Sequence, residues 1–308
     1  MKITGTFLDE ISYDIPHQNW GEKEWDADFR SMASIGIDTV ILIRCGLRRY
    51  MAFPSEVLKK RVNALEPYCD LTAMFLRLAE KYRMKFYFGT YDCGLEPEQI
   101  DFRNDLETNM RVVEEAWKRY GKSPAFGGWY LSREISRSRG RTAEGYVKLG
   151  SFCKEVSNGL PVLISPFIQG VKANAALGID APSIALEQHK KEWDSIFSMI
   201  SGSVDAIAFQ DGHVEIPELE DYLKINMKLA NKHHLHCWTN CETFDRDMPI
   251  HFLPIKWEKM WHKLRAAEAA GIEKAITFEF SHFMSPNSAY VQAHGLYNRY
   301  REYAGLLK

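Results

Sequence analysis

Three observations predict a (β/α)8 barrel. Eight short apolar runs recur along the 308 residues, a helix-like amphipathic segment fills every gap between them, and a glutamate follows the fourth and seventh runs. The runs are Ile3–Leu8, Thr39–Ile43, Lys85–Gly89, Phe126–Leu131, Pro161–Ser165, Asp205–Phe209, Leu235–Thr239 and Lys274–Phe280. Near-continuous apolar character over about four to eight residues marks strands covered on both faces, as in a parallel sheet wrapped by helices.

The intervening helices read as Trp25–Ile35, Asp70–Tyr82, Asn104–Tyr120, Ala143–Val156, Glu187–Ile200, Leu219–Lys232, Lys256–Ala269 and Ala289–Tyr303. Gly36 and Gly271 stand where left-handed C-caps belong, and Pro217 stands where a helix begins. Strand and helix in strict alternation imply parallel βαβ units. A doubly wound open sheet would need a glycine-rich phosphate turn after its first strand, and Thr4-Gly-Thr-Phe-Leu-Asp9 supplies none. Residues 1–308 therefore read as one barrel domain.

Hydrophobic residues make up 45% and charged residues 26%, with a net charge of −2, so neither a disordered chain nor a nucleic-acid partner is expected. There is no apolar run long enough for a membrane span, and no cofactor is implied. The opening Met1-Lys-Ile-Thr-Gly-Thr-Phe7 already reads as the first strand, which makes a cytoplasmic location the expectation, or a secreted or periplasmic one if a leader was trimmed. Six cysteines without a CxxC pair read as reduced thiols. The oligomeric state is left open.

The chemistry sits in Gly128-Trp-Tyr-Leu-Ser-Arg-Glu134 and His236-Cys-Trp-Thr-Asn-Cys-Glu242. A residue just past a barrel strand lies at the catalytic mouth. Either glutamate alone is as readily a solvated loop residue, but at strands four and seven the two face one pocket. A retaining glycosidase needs one carboxyl to protonate the leaving oxygen and another about 5 to 5.5 Å away to attack the anomeric carbon. Cys241 beside Glu242 is a second nucleophile or, more blandly, an apolar filler.

These segments resemble the large clan of TIM-barrel retaining glycosidases that carry the acid/base on strand four and the nucleophile on strand seven. The resemblance implies Glu134 as acid/base, Glu242 as nucleophile and Arg44, closing Val40-Ile-Leu-Ile-Arg44, as the arginine beside the nucleophile. The chain departs from the clan at Arg133, where the clan has asparagine, and at Gln210-Asp211, where it has tyrosine or histidine. Ile3-Thr-Gly-Thr-Phe7, Gly36-Ile-Asp-Thr-Val-Ile-Leu42, Gly128-Trp-Tyr130, Phe209-Gln-Asp-Gly212 and Phe278-Glu-Phe-Ser-His-Phe-Met-Ser-Pro286 are similar to a bacterial family of glycosidase-like barrels of unassigned function.

Candidate sugar-binding residues are the polar and aromatic groups at the strand ends: Arg44, Asp92, Arg133, Gln210, Asp211, Trp238, Asn240, Glu279 and His282. Tyr130, Phe244 and Phe283 are further candidate platforms, whereas Trp129 has the parity opposite to Glu134 and belongs to the core. Two other readings stay open. Glu134, Asp211, His213, Glu242, Glu279 and His282 permit a metal-dependent isomerase or epimerase, although no HxH or HExxH spacing supports it, and a carbohydrate-binding barrel without catalysis is the third. No metal site is expected under the glycosidase reading.

Ser132-Arg-Glu-Ile-Ser-Arg-Ser-Arg-Gly-Arg141 and Arg44-Cys-Gly-Leu-Arg-Arg49 concentrate seven arginines near the predicted mouth: Arg44, Arg48, Arg49, Arg133, Arg137, Arg139 and Arg141. They point to an anionic carbohydrate substrate, or else form a solvated loop paired with helix carboxylates. An arginine at 133 would keep Glu134 ionised, which a general acid cannot tolerate, so either Arg133 points away or Asp211 is the acid.

Overall fold

The computed structural model describes residues 1–95, 97–137, 141–172, 184–246 and 252–307. Eight parallel strands close into a barrel. They are β1 (Ile3–Leu8), β2 (Thr39–Leu42), β3 (Lys85–Gly89), β4 (Phe126–Tyr130), β5 (Val162–Ile164), β6 (Ala206–Gln210), β7 (His236–Asn240) and β8 (Lys274–Thr277). Each pairs with its neighbours in sequence, and β1 closes on β8 through Gly5 opposite Ile276. The outer ring is α1 (Glu22–Ser34), α2 (Leu71–Lys81), α3 (Phe102–Tyr120), α4 (Thr142–Val156), α5 (Leu186–Ile200), α6 (Ile216–Lys232), α7 (Trp257–Ala269) and α8 (Val291–Tyr303).

Helix punctuation follows the residues. Asp70 and Asp101 cap α2 and α3 by accepting the Ala73 and Asn104 N–H groups at 2.8 and 3.2 Å. Gly36 and Gly271 take φ of +90° and +72° just beyond α1 and α7, a conformation in which a side chain is disfavoured. Pro217 lies in the first turn of α6.

Strand parity divides the apolar side chains into two cores. Phe7, Ile41, Tyr130, Leu163, Ala208 and Ile276 fill the barrel, while their neighbours Trp129, Phe86, Phe88 and Phe209 face the helices and pack there with Trp25, Trp193 and Phe197. The small Ala206 and Ala208 leave room inside for Tyr130 and the half-buried Trp238.

The loops add elements that the periodicity does not predict. Helices Glu56–Val62 and Phe280–Phe283, a hairpin pairing Gly46–Leu47 with Tyr50–Met51, and a ladder of Phe244–Asp245 with Leu253–Pro254 all lie outside the barrel repeat. The eighth strand ends at Thr277 rather than Phe280, because Glu279 accepts the Ser281 and His282 N–H groups and starts a helical turn.

Candidate active site

The even-numbered positions beyond β4 and β7 stay on the barrel side. Ser132 continues β4 by donating its N–H to Thr90 Oγ1 at 3.0 Å, which carries Glu134 inward, and Asn240 and Glu242 extend the inward row of β7. Glu134 and Glu242 both line a cavity of about 170 Å3 with Arg44, Gln210, Asn240 and His213. Phe167, Phe244, Phe252 and Phe278 supply its aromatic wall.

Glu134 is partly accessible on this wall. Burial pushes its pKa up, and the negative charges of Asp92 and Glu242 add to that; the Arg44 guanidinium and a hydrogen bond with the Gln210 side chain only partly oppose it, so the net shift is upward. Arg44 itself donates to Ser12 Oγ at 3.2 Å and lies 4.0 Å from Asp92.

Glu242 is 1% exposed. Burial again opposes ionisation, but the Arg246 guanidinium grips both carboxylate oxygens at 2.7 Å and Lys263 adds a second positive charge, so its pKa falls below the usual range. Arg246 lies over the Phe244 ring at 4.7 Å. Behind Glu242, Asp211 Oδ1 accepts its N–H at 3.1 Å, while Lys263 Nζ reaches Asp211 at 2.7 Å and the Glu242 carbonyl at 3.1 Å. Gly212 makes room for the carboxylate: a β-carbon there would stand 1.6 Å from Glu242 Oε2. Burial and Arg246 hold His213 neutral, with its pKa lowered to about 3.

Of the two catalytic and nine sugar-binding candidates, five meet at this cavity, namely Glu134, Glu242, Arg44, Gln210 and Asn240, and the candidate platform Phe244 and His213 join them. Six do not line it. Asp92 lies between Arg44 and Arg133, and Asp211 is paired with Lys263. Arg133 turns outward to Asp105 at 3.3 Å and borders a separate cavity of about 220 Å3 between α3 and α4, on the far side of β4 from the carboxylates. Trp238 sits a layer lower, edge-on to Tyr87 and beneath the Lys274 ammonium. Glu279 and His282 pair with each other at 2.5 Å in the turn after β8. Because Arg133 points away, it does not hold Glu134 ionised.

The arginine cluster disperses. Arg48 covers the Tyr13 ring, Arg49 donates to Asn63 O, Arg137 forks onto Glu192 and Arg141 onto Glu144, while Arg139 lies outside the described residues. The expectation of an anionic substrate thereby loses the cluster that motivated it. The arginine beside Glu242 is Arg246, not Arg44, and periodicity could not find it because it sits in a loop. Lys263 did leave a signal, since it interrupts the buried stripe Met260, Leu264, Ala267 of α7. Cys241 is buried with its thiol pKa pushed well up by burial, the behaviour of a filler. Nor do the six residues of the metal reading assemble: among the described residues, no group of three or more His, Cys, Asp or Glu could hold a metal ion.

A family model described as a domain of unknown function, DUF4434, matches residues 3–290. The chain belongs to the DUF4434 family. No curated protein matches this DUF4434 chain. A crystal structure from Bacteroides thetaiotaomicron, of a protein provisionally named an alpha-L-fucosidase, superposes with a TM-score of 0.95 at 56% identity, covering 99% of this chain and 96% of that one. The endo-1,4-beta-D-mannanase of Thermotoga petrophila shares the fold at a TM-score of 0.62 and 12% identity, covering 99% of each chain. The beta-D-glucuronidase of Dictyoglomus thermophilum does so at 0.55 and 14%, over 98% of this chain and 50% of its own. The DUF4434 barrel thus has the outline of glycoside hydrolases, as its sequence led one to expect.

Proposed function

We propose that this chain is a retaining glycoside hydrolase, with Glu134 as acid/base and Glu242 as nucleophile. One observation carries the reading: two carboxylates at the ends of β4 and β7 line one cavity, and their surroundings bias one toward the proton and the other toward the charge. In the first step a Glu242 oxygen bonds the anomeric carbon as the glycosidic C–O bond breaks, and Glu134 gives its proton to the departing oxygen. In the second, Glu134 takes a proton from water, whose oxygen attacks the same carbon and frees Glu242. The Arg246 fork engages one lone pair on each Glu242 oxygen and offsets the charge that must attack, while a second lone pair on each oxygen stays available for the anomeric carbon.

That same fork favours a second reading, a barrel that binds carbohydrate without turning it over. Trapping separates the two. The protein is incubated with 2-deoxy-2-fluoroglycosyl fluorides of the fucosyl, mannosyl and glucuronyl series, starting with α-L-fucosyl because of the name given to the 56% identical relative. The expected outcome is one added glycosyl mass, mapped to Glu242, and a product that keeps its anomeric configuration by NMR. A label on another residue, or inversion, overturns the assignment, and binding without label or turnover supports the second reading.

A further inference from the structure

We propose that Asp211 and Lys263 are positioning residues that fix the backbone of Glu242, and with it the angle from which its carboxylate meets the sugar. This rests on the reading of Glu242 as nucleophile. Asp211 Oδ1 accepts the Glu242 N–H at 3.1 Å and Lys263 Nζ donates to the Glu242 carbonyl at 3.1 Å, so one ion pair, closed at 2.7 Å, holds both backbone groups of a single residue. The pair comes from two separate elements, the loop after β6 and the second turn of α7.

Stability does not explain it. The Lys263 and Asp211 side chains are 8% and 2% exposed, and a buried ion pair is commonly no better for stability than apolar side chains of the same size. An apolar residue at 263 would complete the Met260, Leu264, Ala267 stripe of α7. What the pair does provide is a fixed origin for the Glu242 side chain, whose far end is held by Arg246 and whose path is cleared by Gly212. With the backbone and carboxylate both tethered, few rotamers remain, and a misplacement of about 1 Å at a reacting atom is enough to cost about 100-fold in rate.

The test compares Asp211→Asn/Lys263→Met in two backgrounds. The double variant leaves no unpaired buried charge, and Lys263→Arg, which keeps the charge but displaces the donor, is carried alongside in case it folds poorly. In the otherwise unaltered enzyme, kcat on an aryl glycoside is expected to fall about 100-fold for the double variant and about 10-fold for Lys263→Arg, with KM within about 3-fold. In Glu242→Ala rescued by azide there is no carboxylate to position, so the same changes are expected to cost under about 3-fold. Equal losses in both backgrounds overturn the positioning role alone. Failure of azide to rescue Glu242→Ala removes the nucleophile reading itself, whatever Asp211 and Lys263 do.

Discussion

The two carboxylates of the cavity stand in opposite company. Glu134 feels the charges of Arg44 and Arg246 without being gripped by either, meets an amide side chain and two further negative groups, and stays partly accessible; Glu242 is sealed under a bidentate arginine with a buried lysine behind it. Both side chains are glutamates on the inward row just past parallel strands. The contrast shows that the barrel supplies direction, while loop and helix residues outside it supply protonation state. Burial biases Glu134 toward its neutral form, whereas Arg246 and Lys263 bias Glu242 toward its charged one.

The sharpest way to break this contrast is to remove each carboxylate in turn. Under the proposed mechanism, in which the covalent bond forms at Glu242, Glu242→Ala is expected to lower turnover by about 10^5-fold or more for every leaving group, and steady-state kinetics across aryl glycosides checks it. Glu134→Gln is expected to cost about 10^2- to 10^4-fold with a poor leaving group but little with dinitrophenolate, which departs without a proton. A similar leaving-group dependence for both variants would erase the distinction.

Arg246→Ala attacks the cause of the asymmetry. A depressed carboxylate pKa stabilises the fold above the ordinary pKa, and that stability is lost as pH falls through the folded value. Removing Arg246 is therefore expected to cost about 3 kcal/mol at neutral pH and to move the acid limb of the kcat/KM profile to higher pH, read by denaturant unfolding and by a pH–rate series. An unmoved acid limb would mean that Arg246 does not set the charge on Glu242.

The smallest effect concerns the pair that the sequence placed at the mouth and the structure places beside it. Burial would lower the His282 pKa, but Glu279 at 2.5 Å, backed by Asp9 and Glu10, raises it to about 9. A raised histidine pKa stabilises the fold fully below its ordinary value of 6.5, and the contribution disappears as pH rises through about 9. Between those limits the unfolding free energy is expected to fall by roughly 3 kcal/mol in all, read as a falling Tm. His282→Gln should flatten that slope while kcat changes less than about 3-fold, in contrast to both carboxylates.

What the sequence disclosed follows from period and parity. Each barrel strand lies within a few residues of its expected span, because burial on both faces leaves an apolar run that no loop imitates. Parity likewise put Glu134, Asn240 and Glu242 inward and Trp129 outward. It gave out where the backbone leaves the strand. Glu279 shares a segment with β8, yet its side chain caps the turn that ends it, and Arg133 occupies the outward position beside Glu134. Arg246 is brought to Glu242 by a loop, with no period to announce it, and Lys263 by the helix after it, where only its break in the buried apolar stripe marks it.

Gly212 turns this geometry into a diagnostic for other barrels of the same outline. Since the oxygen of Glu242 occupies the volume that a methyl group at 212 would fill, any chain that carries even alanine there must put its seventh-strand carboxylate somewhere else. One backbone position in the loop after the neighbouring strand thus vetoes or permits the glutamate's pose. A sequence with the seventh-strand glutamate but a bulkier residue at that point would have to be read as having moved that carboxylate, even with its chemical inventory intact.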